Sequence, residues 1–353
     1  MSEKKPLIVG STDWHIKDDN ADIIFDLVKQ QCEIAKELKV DNLMCLGDVF
    51  NSRKSQTLKV LNTFRRILDM IDDYNLKLIV ISGNHDKTSY ENKESFLDSF
   101  RHHPAIFLID MVGAIPFKEH NLHLHFMPFF KEDVWEDQFN EYIKGYLGLT
   151  GDKQLEGINI FCSHIAITGS RNNDGKRVES NISHKSFRHF DKVLLGHYHD
   201  SQKIGKNIYH IPSIQQNNFG EDEDKGFTIL YSDGSHETVN SKFKPYIKVK
   251  IDLDEVDKKG VNKMIEDYSK ETGSKNVRFV LSGSEDKLKS VNKELIRSVG
   301  IDVKTENKDV EIVEEFDDIE IKRYDEASIL DEFGMFCEEF DKDYKEGIKY
   351  LKV

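Results

Sequence analysis

The chain has 353 residues, room for two or three domains, and its 32% charged and 38% hydrophobic residues are the composition of a soluble globular protein. No apolar run is long enough to span a membrane, and the N-terminus MSEKKPLIVG lacks the apolar stretch of a secretion signal, so the expectation is a cytoplasmic protein without a membrane partner. The net charge of −14 is concentrated in residues 311–343, which hold fourteen Asp or Glu against three Lys or Arg, and so does not exclude a nucleic-acid substrate for the rest of the chain.

In chain order, "PLIVGS" reads as a strand, residues 19–38 as an amphipathic helix with Ile24, Leu27, Val28, Ala35 and Leu38 on one side, and "NLMCLGD" as a second strand. A helix over 55–73, with Leu58, Leu61, Phe64, Leu68 and Ile71 inward, leads to the strand "LKLIVIS". This βαβαβ order predicts adjacent parallel strands between helical layers. Strands then dominate, from "LHLHFMPFF", "INIFCSH" and "KVLLGH" to "NIYHIPS", "GFTILYSDG" and "HETVNS", which predicts a second sheet packed on the first. Residues 245–306 repeat a β-α-β-α-β pattern of their own, and a Phe-rich acidic tail follows. The expected division is 1–243, 244–308 and 309–353. Cys32, Cys45, Cys162 and Cys337 show no Cys-x-x-Cys spacing and read as reduced thiols.

Five strands end in groups that bind metals. Asp13 and His15 follow "LIVGST", Asp48 follows "LMCLG", and Asn84, His85 and Asp86 follow "LIVISG". His164 follows "INIFCS", while His197 and His199 follow "KVLLG". Sites form at the carboxyl ends of strands in open α/β sheets, so these groups are candidates to converge. Each motif alone has a bland reading: a helix cap, a turn, or two surface histidines. Together they describe a two-metal site. Two dications about 4 Å apart repel by on the order of 16 kcal/mol at an effective dielectric of 20, which demands a shared anion, and Asp48 is the natural bridge. Imidazole, carboxylate and amide oxygens without thiolate suit Mn, Fe or Zn.

These motifs resemble the calcineurin-like metallophosphoesterase superfamily, whose pattern is Asp-x-His, Gly-Asp, Gly-Asn-His-Asp/Glu, a later His, and Gly-His-x-His. Within it, "GDVFNSRK" and "IPSIQQNNFGEDEDKGFTIL" resemble SbcD-type nucleases, the bacterial and phage counterparts of the eukaryotic meiotic-recombination nuclease. The resemblance implies an α/β fold of two packed mixed β-sheets flanked by helices, a small α/β capping, DNA-binding domain and a helical partner-binding tail. It further implies that Asp13, His15, Asp48 and His199 hold one divalent ion, usually Mn²⁺, and that Asp48, Asn84, His164 and His197 hold the other. His85 would be the catalytic acid that serves the leaving oxygen.

The implied activity is exonuclease and endonuclease action on duplex ends, hairpins and single-stranded DNA in double-strand-break repair and recombination. No P-loop motif is present, so an SbcC-type coiled-coil ATPase would supply ATP chemistry, docking on the tail helices in a heterotetramer. A homodimer face would come from 55–73 or 91–103. Asn51 stands where related nucleases carry His or Asp, and it cannot shuttle a proton. Asn51, Arg53, Lys54, Arg171, Lys176 and Arg177 are candidate phosphate contacts, with a solvated loop as the alternative for the basic residues. Competing functions are a protein phosphatase or small-molecule phosphodiesterase of the same superfamily, and a non-catalytic scaffold. His123 and His125 read as strand-face residues, His102 and His103 as partners of a helix C-terminus, and Asp86 as a helix cap or an orienting group for His85. His210 has no partner motif.

Overall fold

The computed structural model describes residues 4–148 and 155–308. The first strand β1 (Pro6–Ser11) is followed by α1 (Ala21–Leu38), β2 (Asn42–Cys45), α2 (Leu58–Asp73), β3 (Lys77–Ile81) and β4 (Ile106–Ile109). Then come β5 (Gly113–Phe117), β6 (Leu122–Met127), α3 (Glu132–Glu141), β7 (Ile158–His164), β8 (Lys192–Gly196), β9 (Gln202–Ile204), β10 (Ile208–His210), β11 (Gly226–Tyr231) and β12 (His236–Asn240). The last described stretch holds β13 (Tyr246–Asp252), α4 (Lys258–Ser269), β14 (Asn276–Gly283), α5 (Glu285–Ser290), α6 (Lys293–Ser298) and β15 (Ile301–Asn307).

Two six-stranded mixed sheets form the body, ordered β12-β11-β1-β2-β3-β4 and β5-β6-β7-β8-β10-β9. Strands β1 to β4 run parallel, with α1 and α2 making the first two crossovers and residues 82–105 the third, and the buried apolar runs of β1, β2 and β3 show that both of their faces are covered. One face packs on α1 and α2 through Val9, Leu43, Val80, Phe64 and Ile67. The opposite face, with Ile8, Met44, Ile79 and Ile81, meets Leu124, Phe126, Ile160 and Leu194 of the second sheet. Trp135 and Phe139 of α3 cover the outside of that sheet against Phe161. The result is an α/β/β/α sandwich, the fold class expected from the sequence.

Several local expectations shift. Helix α2 starts at Leu58, where Thr57 accepts a bond from the Val60 amide and so caps it. Leu58 itself is 74% exposed, and the inward face is Val60, Phe64, Ile67 and Ile71. Residues 91–103 form only a short 3₁₀ turn at Phe96–Phe100, and His103 pairs with Asp69 at 3.1 Å instead of closing a helix. The strands "GFTILYSDG" and "HETVNS" do not extend the second sheet. As β11 and β12 they return to the first, with β11 antiparallel to β1.

Strands β13, β14 and β15 form a separate parallel sheet with its own core of Ile251, Val261, Phe279, Leu281 and Ile296. Two short helices, α5 and α6, make its second crossover. The sheet is tied to the body through the Tyr246 amide, which donates to Gln216 Oε1 at 2.8 Å, and through Arg278, which lies 4.0 Å over the Phe219 ring. Cys32, Cys45 and Cys162 are free and buried. Among the described residues no helix is long and apolar enough to cross a membrane. The expected tail, 309–353 with Cys337, lies outside the described residues.

Candidate metal centre

The loops after β1, β2, β3, β7 and β8 meet at one rim of the sandwich. The first two are laced by backbone bonds, with the Asp13 amide donating to Gly47 O and the His15 amide to Asp48 O, each at 3.0 Å. Asp13, His15, Asp48 and His197 all have positive φ, at 52°, 46°, 52° and 88°. For L-residues that conformation costs roughly 1–2 kcal/mol each, and it persists only where the surroundings over-determine it. Glycines make the close approach possible. A Cβ on Gly83 would lie 2.2 Å from Asp48 Oδ1, and one on Gly196 would lie 2.3 Å from Thr12 Oγ1.

Seven donor side chains gather in two overlapping sets. Asp13, His15 and His199 offer atoms within 4.8 Å of one another, as do Asp48, His164 and His197. His15 Nε2 and His199 Nε2 stand 3.1 Å apart, and each faces Asp13 Oδ1, at 3.7 and 3.9 Å. Asn84 Oδ1 stands 3.2 Å from His164 Nε2 and 3.0 Å from His197 Nδ1. Asp48 joins the sets, since its Oδ2 lies 3.7 Å from His15 Nε2 and 3.3 Å from His164 Nε2. Its other oxygen accepts the His85 amide at 2.8 Å.

The donor set fits divalent ions. Asp13 Oδ1 is buried without a hydrogen-bond partner, which in a native interior calls for a ligand or a cation. Burial pushes the His15 and His197 pKa values well below the ordinary range, which keeps these rings neutral as metal ligation requires. Burial also opposes ionisation of Asp48, but the charge and hydrogen bond of the His164 imidazole outweigh it and hold the carboxyl well below its usual range. At His164 burial disfavours the charge, yet Asp48 and Asp13 overcome it and lift the pKa to about 9. A proton on that ring would compete with a metal ion for the same nitrogen.

His85 belongs to a third grouping with His15 and Asp48. Its Nδ1 lies 2.6 Å from the Asn51 carbonyl, so Nδ1–H donates there and Nε2 is left as the acceptor for Arg53 Nη2 at 3.1 Å. The backbone of Asn51 holds His85, which makes the residue type at 51 irrelevant to that contact. Asp86 caps no helix. Its two oxygens accept the Phe50 and Gly83 amides at 2.9 and 2.8 Å, clamping the Asp48 loop to the Asn84 loop.

The cleft above these groups has a volume of about 350 Å³ and is also lined by Asn51, Arg53, Asn172, Asn173 and Asp174. The polar loop therefore presents asparagine and aspartate to the cleft. Arg171, Lys176 and Arg177 do not line it, and Arg171 Nη1 bonds the Gly175 carbonyl of its own loop at 2.8 Å. Lys54 is exposed beside Arg53 and likewise does not line it.

Three contributors escape the sequence reading. Glu221 accepts His199 Nδ1–H at 2.8 Å, Lys225 pairs with Glu221 at 3.2 Å, and His210 Nδ1 meets the Gly196 carbonyl at 2.9 Å behind His197. Glu221 and Lys225 both fall in the family-like segment "IPSIQQNNFGEDEDKGFTIL", which marked the stretch without assigning either residue a role.

A family profile for calcineurin-like phosphoesterases matches residues 7–201. The chain is 26% identical to "Putative phosphoesterase 244L" of Invertebrate iridescent virus 6, over 65% of this chain and 77% of that one. It is 24% identical to the SbcD component of the SbcCD nuclease of Staphylococcus saprophyticus, over 67% of this chain and 68% of that one. The profile spans more than half of the residues, including all seven donors, and on this ground the chain belongs to the calcineurin-like phosphoesterases, metal-dependent hydrolases of phosphate esters.

Proposed function

We propose that this protein is a two-metal DNA phosphodiesterase, the nuclease component of an SbcCD-type complex that trims and nicks DNA ends in double-strand-break repair and recombination. The observation that carries the reading is Asp48, whose Oδ2 faces His15 on one side and His164 on the other, the placement a bridging carboxylate needs. Asp13, His15 and His199 would complete one position, and Asn84, His164 and His197 the other, with Mn²⁺ the expected ion. Two divalent ions, when bound, lower the pKa of a water toward neutrality and offset the phosphate charge.

The chain's own groups do the rest. His85, oriented through the Asn51 carbonyl, turns Nε2 into the cleft, where a proton on it reaches the departing oxygen. Arg53 occupies that nitrogen and must release it as substrate enters; its guanidinium then meets a phosphate oxygen. Asn172 and Asn173 offer amide groups to the substrate without base preference.

A nucleic-acid substrate is supported by the third sheet. Its helix-free face carries Lys248 beside Arg278 and, one pair further along, Lys250 and Lys304, next to Phe219 and Tyr246, although Arg278 also pairs with Asp302 and Lys304 with Glu306 on the same face. The DNA would pass from this face to the cleft, with a homodimer and an SbcC-type ATPase as partners and the tail as the ATPase dock. The second reading, a phosphoesterase acting on smaller substrates, draws on the asparagine-lined wall of the cleft, where a dedicated DNA groove would place lysine or arginine.

The deciding assay offers hairpin and blunt duplex DNA, a phosphopeptide and bis(p-nitrophenyl) phosphate to the protein with Mn²⁺ or Mg²⁺. DNA cleavage with Mn²⁺, lost by roughly 100-fold or more in Asp48→Ala, is the expected outcome. Turnover of only the small diester or the phosphopeptide would sink the nuclease assignment.

A further inference from the structure

The segment "GEDEDK", residues 220–225, presents four consecutive acids, yet only Glu221 is buried, at 5% exposure, while Asp222, Glu223 and Asp224 face solvent. Its carboxylate has a full set of partners. Oε1 accepts His199 Nδ1–H at 2.8 Å and the Asn218 amide group at 2.9 Å, and Oε2 accepts the Asn217 amide at 3.0 Å. Lys225, whose side chain is fully buried, lies 3.2 Å from Oε2 and reaches onward to the His199 carbonyl at 2.7 Å and to Asp200 at 2.6 Å.

A buried ion pair is a weak source of stability, because desolvating two charges consumes most of their attraction. Its geometry here has a more specific consequence. With Nδ1 protonated and tied to Glu221, His199 turns the lone pair of Nε2 toward Asp13 and His15. Among the described residues no carboxylate outside the seven donors bonds the ring of His164 or His197: His164 Nδ1 meets the Leu46 carbonyl, and His197 Nδ1 meets Asn84 Oδ1.

We infer that Glu221, held in place by Lys225, is a positioning residue for His199 that sets the affinity of the Asp13–His15–His199 metal position and leaves the Asp48–Asn84–His164–His197 position largely untouched. The inference rests on the two-metal reading of the site. Partners of this kind typically change metal affinity by roughly 10–100-fold when removed.

The test is calorimetric titration of the full chain with Mn²⁺ alone, for the wild type, Glu221→Gln, Glu221→Leu, His199→Ala and the Glu221→Leu/His199→Ala double variant. Two Mn²⁺ are expected in the wild type. In Glu221→Leu one of them should weaken by roughly 10–100-fold while the other is retained. Glu221→Gln, which keeps an acceptor for Nδ1–H, should fall between the two. The double variant should bind no more weakly than His199→Ala, since Glu221 acts through that ring. Equal weakening of both ions, or an unaltered isotherm in Glu221→Leu, overturns the positioning role and leaves the two-metal reading standing. A wild type that binds no Mn²⁺ overturns both. Should Glu221→Leu fail to fold, the Glu221→Gln isotherm decides: weakening of one ion alone upholds the role, and an affinity for both ions equal to wild type overturns it.

Discussion

His210 shows how a residue without a motif acts on the centre. It is buried, receives the Ser170 hydroxyl on Nε2 and donates Nδ1–H to the Gly196 carbonyl, one residue before His197. Burial pushes its pKa down to about 4 from an ordinary 6.5, which the Gly196 carbonyl only partly offsets. The unfolded chain therefore takes up this proton before the folded one does. The resulting stability is complete above about pH 6.5 and is lost as pH falls toward 4, a change on the order of 3 kcal/mol for the metal-free protein. Urea unfolding at pH 7.5 and 5.0 should show a smaller drop in His210→Gln than in the wild type; equal drops would assign the acid lability elsewhere. Asp86 makes a second residue-scale case. Asn at this position keeps one acceptor and turns an amide group toward a backbone N–H, so Asp86→Asn should cost about 1–3 kcal/mol in unfolding free energy. The gathering of the seven candidate donors was legible because Asp, His and Asn at strand ends are distinct residue types in a distinct order. Glu221 was not, since its three acidic neighbours look the same until burial separates them. Nor were the four left-handed conformations, which Asp and His adopt only when tertiary contacts impose them.

At the scale of elements, the strands were readable from their apolar runs and α1 and α2 from their helical period, because these follow from side-chain spacing alone. Which sheet a strand joins does not. "GFTILY" is apolar throughout, and either sheet would bury it; only the pairing of β11 with β1 decides. The short β4 and β9 had too few residues to show a period. The close approach of the β2 and β3 loops gives a sharp prediction. A methyl on Gly83 meets Asp48 Oδ1 at 2.2 Å and the Asp48 amide at 2.4 Å, so one loop must retreat. Gly83→Ala should lose hydrolysis and bind Mn²⁺ more weakly, at a stability cost of about 1–3 kcal/mol; an unchanged Mn²⁺ isotherm would mean the loops tolerate separation. The polar loop at 168–180 makes the opposite prediction. Its basic residues lie off the cleft, so replacing Arg171, Lys176 and Arg177 with Ala should leave hydrolysis of a small diester within a factor of about two.

The folded body does not end where the family profile does. The profile stops at residue 201, but the first sheet is completed only by β11 and β12, and Glu221 lies beyond that point too. A fragment ending at 201 leaves β1 as a bare edge and should show no cooperative urea transition, whereas one ending at 243 should unfold in a single step; cooperative unfolding of the shorter piece would show the closing strands to be dispensable. Pairing between Pro6 and Tyr231 also has a cost in time. During synthesis β1 leaves the ribosome first and waits for a partner more than two hundred residues behind it, roughly 10–45 s at ordinary elongation rates. For that interval the nascent chain carries a buried-type strand with one open edge, and the cell's chaperones, rather than its own later strands, must keep it from pairing with a neighbour on the same polysome.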